Sequence, residues 1–429
     1  MAVAKRDERD FLDELIDLQN DWQAFSNPLG DIADSLMQDP SKKKTWNPAD
    51  YKEVPVANSA RCVCVSTQDH TICTRCMDIC PTDSIRIDKK AIKIDDSCRK
   101  CGLCAPICPT DALFVRSRMP KNLYETVARK ASAYKRCYIT CTRALGRLPY
   151  GNEVVLACVG LIPRDVWFAI LTDYNNVSVY LPMGICDRCR TTTGEEMLSE
   201  EIATAEQWAD ASVGLEIDEA DLDHEYTRAY KRSQFVSSAL QAGDRLMTGV
   251  NPALAGAKAI AAKIQDHTNR MNELTASLEN AVGARTATNK QRQLTARRKL
   301  MLEALQRDSG LAERIIGLEV PVCDSTRCTM CGDCALACST HALDLDKHGN
   351  VQIEIPYCMN CGFCADVCPE DALTMVPLDA AELVIPDPYA EEIAKKKAEA
   401  KAEAERLIAQ GKERLNKMGD MLESLDKDS

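Results

Sequence analysis

The stretch Cys358 to Leu373 reads CMNCGFCADVCPEDAL, and the interpretation of the whole chain starts from it. Steps of three residues place three thiolates on one tight loop, where they can bind three irons of one cubane cluster. The fourth cysteine begins the next helix, faces away and ligates a second cluster. Gly362 gives the loop backbone room beside the sulfide, and Pro369 ends the ligand run. Zinc sites with four cysteines use two separate CxxC pairs instead. The stretch therefore predicts paired 4Fe–4S clusters.

The chain repeats this pattern. A second run, CRKCGLCAPICPTDAL, begins at Cys98 and is identical to the first at ten of sixteen positions. Each run follows another group of cysteines, and alternating isoleucine, leucine and valine residues between the runs predict β-hairpins. This arrangement resembles the bacterial ferredoxins that carry two 4Fe–4S clusters. The resemblance covers residues 59–118 and 318–378, and it implies two such modules with electron transfer as their task.

Crosswise ligation gives each cluster three cysteines of one run and the last cysteine of the neighbouring run. It predicts three complete ligand sets: Cys98, Cys101, Cys104 and Cys80; Cys328, Cys331, Cys334 and Cys368; Cys358, Cys361, Cys364 and Cys338. Cys323 is left over and is interpreted as a structural thiol.

The fourth set contains Cys73, Cys76 and Cys108 but lacks a certain fourth member. His70 stands where the register requires a cysteine. Cys64 or Cys62 is favoured over it, because thiolate is the usual ligand of a cubane. A three-iron cluster, or none, stays open as a further alternative.

Residues 119–195 predict a different unit. Val154–Cys158 and Val177–Leu181 are typical of buried strands, and a helix over Pro163–Thr172 lies between them. Ligands of such α/β units gather at the carboxyl ends of the strands. Candidate metal ligands here are Cys137, Cys141, Cys158, Cys186 and Cys189, which could hold 2Fe–2S, 4Fe–4S or zinc, or could be buried structural thiols.

Three stretches of this unit, CYITC, ACVGLIPRDVWFAIL and GICDRCRTTTG, loosely resemble the delta subunit of methyl-viologen-reducing hydrogenases. The resemblance covers about 60 residues and departs from the family at Cys137 and Cys141, which are separated by three residues rather than two. It implies a 2Fe–2S cluster and electron transfer to a flavoprotein.

The remaining segments are predicted to be helical. Residues 1–58 form a helical and extended arm, with an apolar face between Phe11 and Leu18, and residues 379–429 contain a helix from Tyr389 to Leu425. Residues 196–317 predict a helical arm, an antiparallel coiled coil in which His267 is a core residue. The predicted fold class is thus multidomain α+β, with two 2×(4Fe–4S) ferredoxin-like modules around a small α/β cysteine-bearing domain and a long helical insertion.

Composition narrows the function. The 23 cysteines, no export signal and no membrane-spanning run predict a cytoplasmic protein whose cysteines bind metal. The net charge of −12 argues against nucleic acid as a partner. No motif for bond-making catalysis is found, so we do not expect an enzyme by itself.

The prediction is an iron–sulfur subunit that relays single electrons in an anaerobic, hetero-oligomeric oxidoreductase complex. Its partners would be hydrogenase, formate dehydrogenase, molybdoenzyme or flavoprotein subunits. Two alternatives stay open: an assembly protein that builds an oligomer or filament with the clusters as conductor, and a catalytic subunit with an open-site cluster near His70.

Overall fold

A computed structural model describes residues 45–69, 71–227, 253–286 and 288–385, and it combines short helices with five small β-sheets. His70 lies outside the described residues. So do the predicted N-terminal helix between Phe11 and Leu18 and the predicted helix from Tyr389 to Leu425.

The first cysteine-rich module is built from two antiparallel strand pairs and three single-turn helices. In chain order its elements are β1 (Val56–Ala57), α1 (Val63–Ser66), α2 (Arg75–Asp78), β2 (Ile85–Ile87), β3 (Ile92–Ile94), α3 (Cys104–Ile107) and β4 (Leu113–Phe114). Strand β1 pairs with β4, and β2 pairs with β3 in the predicted hairpin. Because β1 belongs to this sheet, the module begins before the predicted boundary at residue 59.

The α/β domain follows, with a four-stranded parallel sheet in the order β6-β5-β7-β8. Its elements are α4 (Pro120–Ala133), β5 (Cys137–Cys141), α5 (Thr142–Leu145), β6 (Glu153–Leu156), α6 (Arg164–Asp173), β7 (Val177–Tyr180), α7 (Gly194–Ala209) and β8 (Gly214–Glu216). The sheet thus continues past the predicted boundary at residue 195. Strand β5, which the sequence analysis treated only as a pair of cysteines, is a central strand and is buried along its whole length.

Two helices follow, α8 (Ala253–Val282) and α9 (Ala296–Arg307). They contact each other, but they also pack on α4 and α6, so they form a layer of the α/β domain rather than the predicted separate arm. The reason is that α9 is apolar on more than one side: Leu300, Met301, Leu302 and Leu305 are all fully buried. A two-helix hairpin alone could not cover all of these side chains.

The second module repeats the first. It comprises β9 (Glu319–Cys323), α10 (Asp333–Ala337), β10 (Leu343–Leu345), β11 (Val351–Ile353), α11 (Phe363–Asp366) and β12 (Leu373–Pro377). Strand β9 pairs with β12, and β10 pairs with β11 through a turn that contains Gly349 at φ +85°. Short 3₁₀ turns connect many elements of the chain: Pro48–Tyr51, Ser59–Arg61, Arg116–Arg118, Val159–Leu161, Glu219–Asp221, Ser309–Arg314, Ile355–Tyr357 and Ala380–Leu383.

His267 lies in the layer formed by α8 and α9, where only 3% of it is exposed. Its ring stacks on Tyr124 with the ring centroids 4.4 Å apart, and its Nε2 lies 3.3 Å from Glu303. It is therefore a core residue, as predicted. Across the part of the chain that the structure describes, no helix has both the length and the apolarity needed to cross a bilayer.

Candidate iron–sulfur sites

Four cysteines of the first module converge, namely Cys62, Cys73, Cys76 and Cys108, here named group A. All four lie in one apolar cluster, which also contains other apolar side chains of the module. Burial is the largest cause that raises the pKa of Cys76 to about 12, and the neighbouring thiols of Cys108, Cys73 and Cys62 add to the rise. A bound metal reverses this preference, because thiolate is the ligating form.

Strand pairing explains the place of Cys62. Asn58, the residue after β1, donates its N–H to the carbonyl of Ala112 (2.7 Å). In the same way Asp324, the residue after β9, donates to the carbonyl of Ala372 (2.8 Å). Cys62 and Cys328 each follow four residues after these donors, so they hold equivalent positions in the two modules. The interval from Cys62 to the next cysteine of its group is eleven positions, against three after Cys328, and the additional residues include α1.

Cys64 lies beside group A but is engaged otherwise. Its thiol donates a hydrogen bond to the carbonyl of Cys73 (3.2 Å). The interaction between the two neighbouring thiols lowers the pKa of Cys62 and raises the pKa of Cys64 above its ordinary value. Of the two cysteines that the sequence left as alternatives, Cys62 is the one at the position equivalent to Cys328.

Group B consists of the predicted set Cys80, Cys98, Cys101 and Cys104, and these four residues line one cavity together. Ser84 lies within hydrogen-bond distance of Cys80 (Oγ to Sγ, 3.2 Å). Burial alone would raise the pKa of Cys80, but the hydrogen bonds from Ser84 and Thr82 outweigh it and lower the pKa. Hydrogen bonds to ligand sulfur also raise cluster potentials.

The second module holds two groups with the predicted crosswise membership. Group C consists of Cys328, Cys331, Cys334 and Cys368, which line one cavity. Group D consists of Cys338, Cys358, Cys361 and Cys364; the thiols of Cys361 and Cys364 interact electrostatically with the other members. Cys323, predicted to be a separate structural thiol, lines the cavity of group C as well and shares a hydrogen bond with Cys328.

The ligand loops require a left-handed backbone. Gly362 in group D and Gly102 in group B have φ of +84° and +83°, a region that residues with a β-carbon rarely adopt. The positive φ at Gly362 is by itself a reason for glycine at this position, whatever space a β-carbon would meet.

Group E lies in the α/β domain and consists of Cys141, Cys158, Cys186 and Cys189. Cys141 ends β5 and Cys158 follows β6, so both stand at the carboxyl edge of the parallel sheet. Burial is the largest cause that raises the pKa of Cys141, Cys158 and Cys186, that of Cys158 to about 12, and the neighbouring thiol of Cys189 adds to the rise in all three.

Cys137, the fifth candidate in this domain, is not part of group E. It begins β5, four residues from Cys141, which separates the two α-carbons by about 13 Å along the strand. The side chain is fully buried in the hydrophobic core, and burial raises its pKa to about 12. The structure therefore places Cys137 among core residues.

The five groups form a series whose first three members are E, B and A. Cys158 of group E packs with Leu103 and Cys101 of the group B loop in one apolar cluster. Cys104 of group B and Cys76 of group A share a second cluster and are electrostatically coupled.

The series continues into the second module through groups D and C. Phe363 and Cys361 of the group D loop pack in the apolar cluster that contains group A, and the guanidinium of Arg75 lies 5.4 Å from the centroid of the Phe363 ring. Cys364 of group D and Cys334 of group C then adjoin each other. The order along the molecule is E, B, A, D, C.

Two consecutive arginines at the start of α9 hold the modules together. Arg297 donates to the carbonyl of Cys108 in group A (2.6 Å) and pairs with Asp111 (3.1 Å). Arg298 donates to the carbonyl of Cys358 in group D. Sequence patterns gave no indication of these contacts, since both arginines lie in the segment interpreted as an arm.

Within the described residues, no group of three or more His, Cys, Asp or Glu side chains is arranged around a single metal ion. A zinc ion with Zn–S bonds of about 2.3 Å would need its ligands close together. Ligands of a multi-iron cluster lie further apart, because each sulfur binds a different iron. The crosswise membership of the groups and the left-handed ligand loops fit iron–sulfur clusters.

Comparison with known families agrees with this class of site. Residues 327–372 match the model described as a 4Fe-4S dicluster domain, and residues 91–114 match the model described as a 4Fe-4S binding domain. The chain thus contains ferredoxin-type 4Fe–4S domains, a class associated with electron transfer.

Two curated proteins are similar to part of the chain. Pyruvate synthase subunit PorD of Methanocaldococcus jannaschii is 36% identical over 56 residues, which cover 13% of this chain and 65% of that subunit. The subunit of the same name from Methanothermobacter marburgensis is 34% identical over 55 residues, covering 13% and 63%. The chain spans slightly less than two-thirds of the length of these relatives. No solved structure gives a significant match.

Proposed function

We propose that this chain is an electron-transfer subunit in which single electrons pass along the series E, B, A, D, C. One observation carries the proposal: each group shares an apolar contact or a cavity wall with the next, from Cys158 to Cys334. Clusters that only stabilise the fold do not need to lie next to one another. Clusters that transfer electrons do, because electrons pass efficiently only over short distances between centres.

In this proposal groups A to D each hold one 4Fe–4S cluster, with Cys62 as the fourth ligand of group A. Group E holds an additional iron–sulfur cluster. The bound clusters supply one-electron redox chemistry. The protein holds them in order, buries them and adjusts their potentials through hydrogen bonds such as that of Ser84 to Cys80.

The chain would act as one subunit of a hetero-oligomeric oxidoreductase. The relatives are named as subunits of pyruvate synthase, which supports a place in such a complex. Hydrogenase, formate dehydrogenase, molybdoenzyme and flavoprotein subunits are the partner classes we propose. The three stretches around group E that resemble the hydrogenase delta subunit favour a flavoprotein among them.

The two alternative functions have less support. A catalytic subunit needs an open cluster, but Cys62 completes group A with a fourth thiol. The assembly alternative rests on the helical arm and the terminal segments; of these, the structure describes α8 and α9, which pack on the α/β domain.

The test is an iron count followed by low-temperature EPR of anaerobically purified, reduced protein. We expect about 16 irons from groups A to D, and about 18 to 20 with a 2Fe–2S or 4Fe–4S cluster in group E. Neighbouring reduced clusters are paramagnetic, so contact between groups should broaden their signals through spin–spin coupling. In Cys73→Ser, which interrupts the series at group A, we expect about four irons fewer and loss of the coupling between the two modules.

Cys137→Ala is the matched control, because this cysteine belongs to no group and its variant should keep both the iron count and the coupled spectrum. Four irons or fewer in fresh protein, or uncoupled signals in the unaltered chain, would refute the relay.

A further inference from the structure

A large basic cavity lies between groups B and E. Its volume is about 570 Å³, and four cationic side chains line it, those of Lys52, Arg99, Arg143 and Arg190. No acidic residue lines it, although acidic residues outnumber basic ones by 65 to 53 in the whole chain. A concentration of one charge sign in a chain of the opposite net charge indicates a function for these side chains.

Among the described residues, the four cations have no carboxylate partner. Among ion pairs formed by the described residues, none involves any of the four. The Nε of Arg99 is buried and has no hydrogen-bond partner within the structure. Four cations that converge on one cavity repel one another, so an anion between them would be stabilised.

The cavity stands beside the cysteine groups rather than inside them. Cys101 is the one member of group B in its wall, and Cys189 is the one member of group E. The other six cysteines of these groups are not among the residues that line it. Compensation of cluster charge would explain nearby cations, but it would not require an open space of this size.

We propose that this cavity binds a small polyanion, a molecule with at least two phosphate or carboxylate groups. The volume is in the range of small-molecule pockets, about 300–1,000 Å³. Three of the four cations are arginines, whose planar forks bind phosphate and carboxylate oxygens in pairs. The hydroxyls of Thr142 and Thr191 in the wall add donors for the same oxygens.

The position makes binding and reduction interdependent. Each electron taken up by a cluster at group B or E adds negative charge next to the bound anion. The anion therefore disfavours reduction, and reduction disfavours the anion by the same factor. This binding does not depend on the relay being correct, because it can be measured in the oxidised protein.

The experiment is isothermal titration of the anaerobic, cluster-loaded full chain in 0.1 M KCl with three probes: pyrophosphate, adenosine diphosphate and citrate. At least one probe should bind with a 1:1 stoichiometry, and its identity distinguishes phosphate from carboxylate as the preferred group. The double variant Arg143→Gln/Arg190→Gln should weaken that binding at least tenfold. Arg86→Gln/Arg116→Gln, which removes the same charge from two exposed arginines outside the cavity, should stay within twofold of the unaltered protein.

A redox titration followed by EPR supplies the second readout. The bound probe should move the midpoint of at least one cluster to lower potential in the unaltered protein and leave it in place in the Arg143→Gln/Arg190→Gln variant. Absence of binding by all three probes would overturn the proposal and would leave an acidic protein surface as the occupant to consider. Equal weakening by the two double variants would also overturn it, because it would show an effect of net charge alone.

Discussion

Replacement of Arg297 by methionine should loosen the contact between α9 and the group A loop. The arginine is 6% exposed and donates to the carbonyls of Pro106 (3.2 Å) and Cys108 (2.6 Å). Its guanidinium also pairs with Asp111 (3.1 Å) and lies 3.9 Å from Asp165. Methionine fills similar space but leaves both carboxylates without their cation.

The expected cost follows from that burial. Removing one partner of a buried ion pair destabilises by about 3–5 kcal/mol, since the remaining charge stays desolvated. Burial is the largest cause that raises the pKa of Asp111, even with Arg297 in place. In Arg297→Met the cost should therefore be greatest at neutral pH and should diminish as the pH falls and the carboxyl takes up a proton.

Native-state hydrogen exchange of the cluster-loaded protein, followed by mass spectrometry, measures this loss of stability separately for each segment. Amides of α9 and of the loop around Cys108 should exchange roughly 10²- to 10³-fold faster, as about 1.4 kcal/mol corresponds to a factor of ten. Adding Asp111→Asn to Arg297→Met should recover part of the protection, because the orphaned charge is removed.

Arg314→Met is the matched control. This arginine pairs with Asp210 at 2.8 Å, but their side chains are 48% and 65% exposed, and exposed pairs contribute about 0–1 kcal/mol. It should change exchange by less than about fivefold. If Arg297→Met behaved like Arg314→Met, the view that Arg297 ties α9 to group A would be refuted.

Three further predictions concern the candidate ligands. Cys62→Ser should lose about four irons per chain on elemental analysis, whereas Cys64→Ser should keep them; the reverse result would make Cys64 the ligand of group A. Cys158→Ser should remove the group E cluster and its EPR signal, while Cys137→Ala should keep both, and loss of iron in the latter would return Cys137 to the ligand set. Gly194→Ala would bring a β-carbon against the sulfur of Cys158, so it should lower iron occupancy of group E, and full occupancy would show that α7 moves freely there.

Much of the cysteine arrangement was predictable, because steps of three and four residues restrict which sulfurs can meet. The membership of groups B, C and D follows from crosswise ligation of local runs. The place of Cys62 could not be read from spacing, since an insertion that includes α1 interrupts its run. It emerges from the register of β1 against β4, a contact between residues more than 50 positions apart.

Other features depend on partners that sequence patterns do not identify. The heptad stripe of α8 correctly indicated a buried face, but the cover for α9 comes from α4 and α6. Strand β5 was not predicted, because Cys137 and Cys141 were interpreted only as metal ligands. The β-branched and aromatic residues of CYITC are also typical of a strand. The basic cavity collects single cations from four separated segments, so no local pattern could have indicated it.

The order of the groups shows how the internal repeat is used. Groups A and C occupy equivalent positions, as do B and D, so the sequence B, A, D, C places the two modules in the same sense, head to tail. In module one the face at group A is covered by Phe363 of module two. At the equivalent face of group C, Met330 is 55% exposed, Leu336 is 52% exposed, and Cys331 is exposed as well.

We expect an external redox protein to dock on this face of group C, as module two docks on group A. Met330→Glu should then slow electron uptake from a reduced small ferredoxin while the iron content stays unchanged. If the stopped-flow rates of electron uptake were also unchanged, electrons would enter the protein at another site.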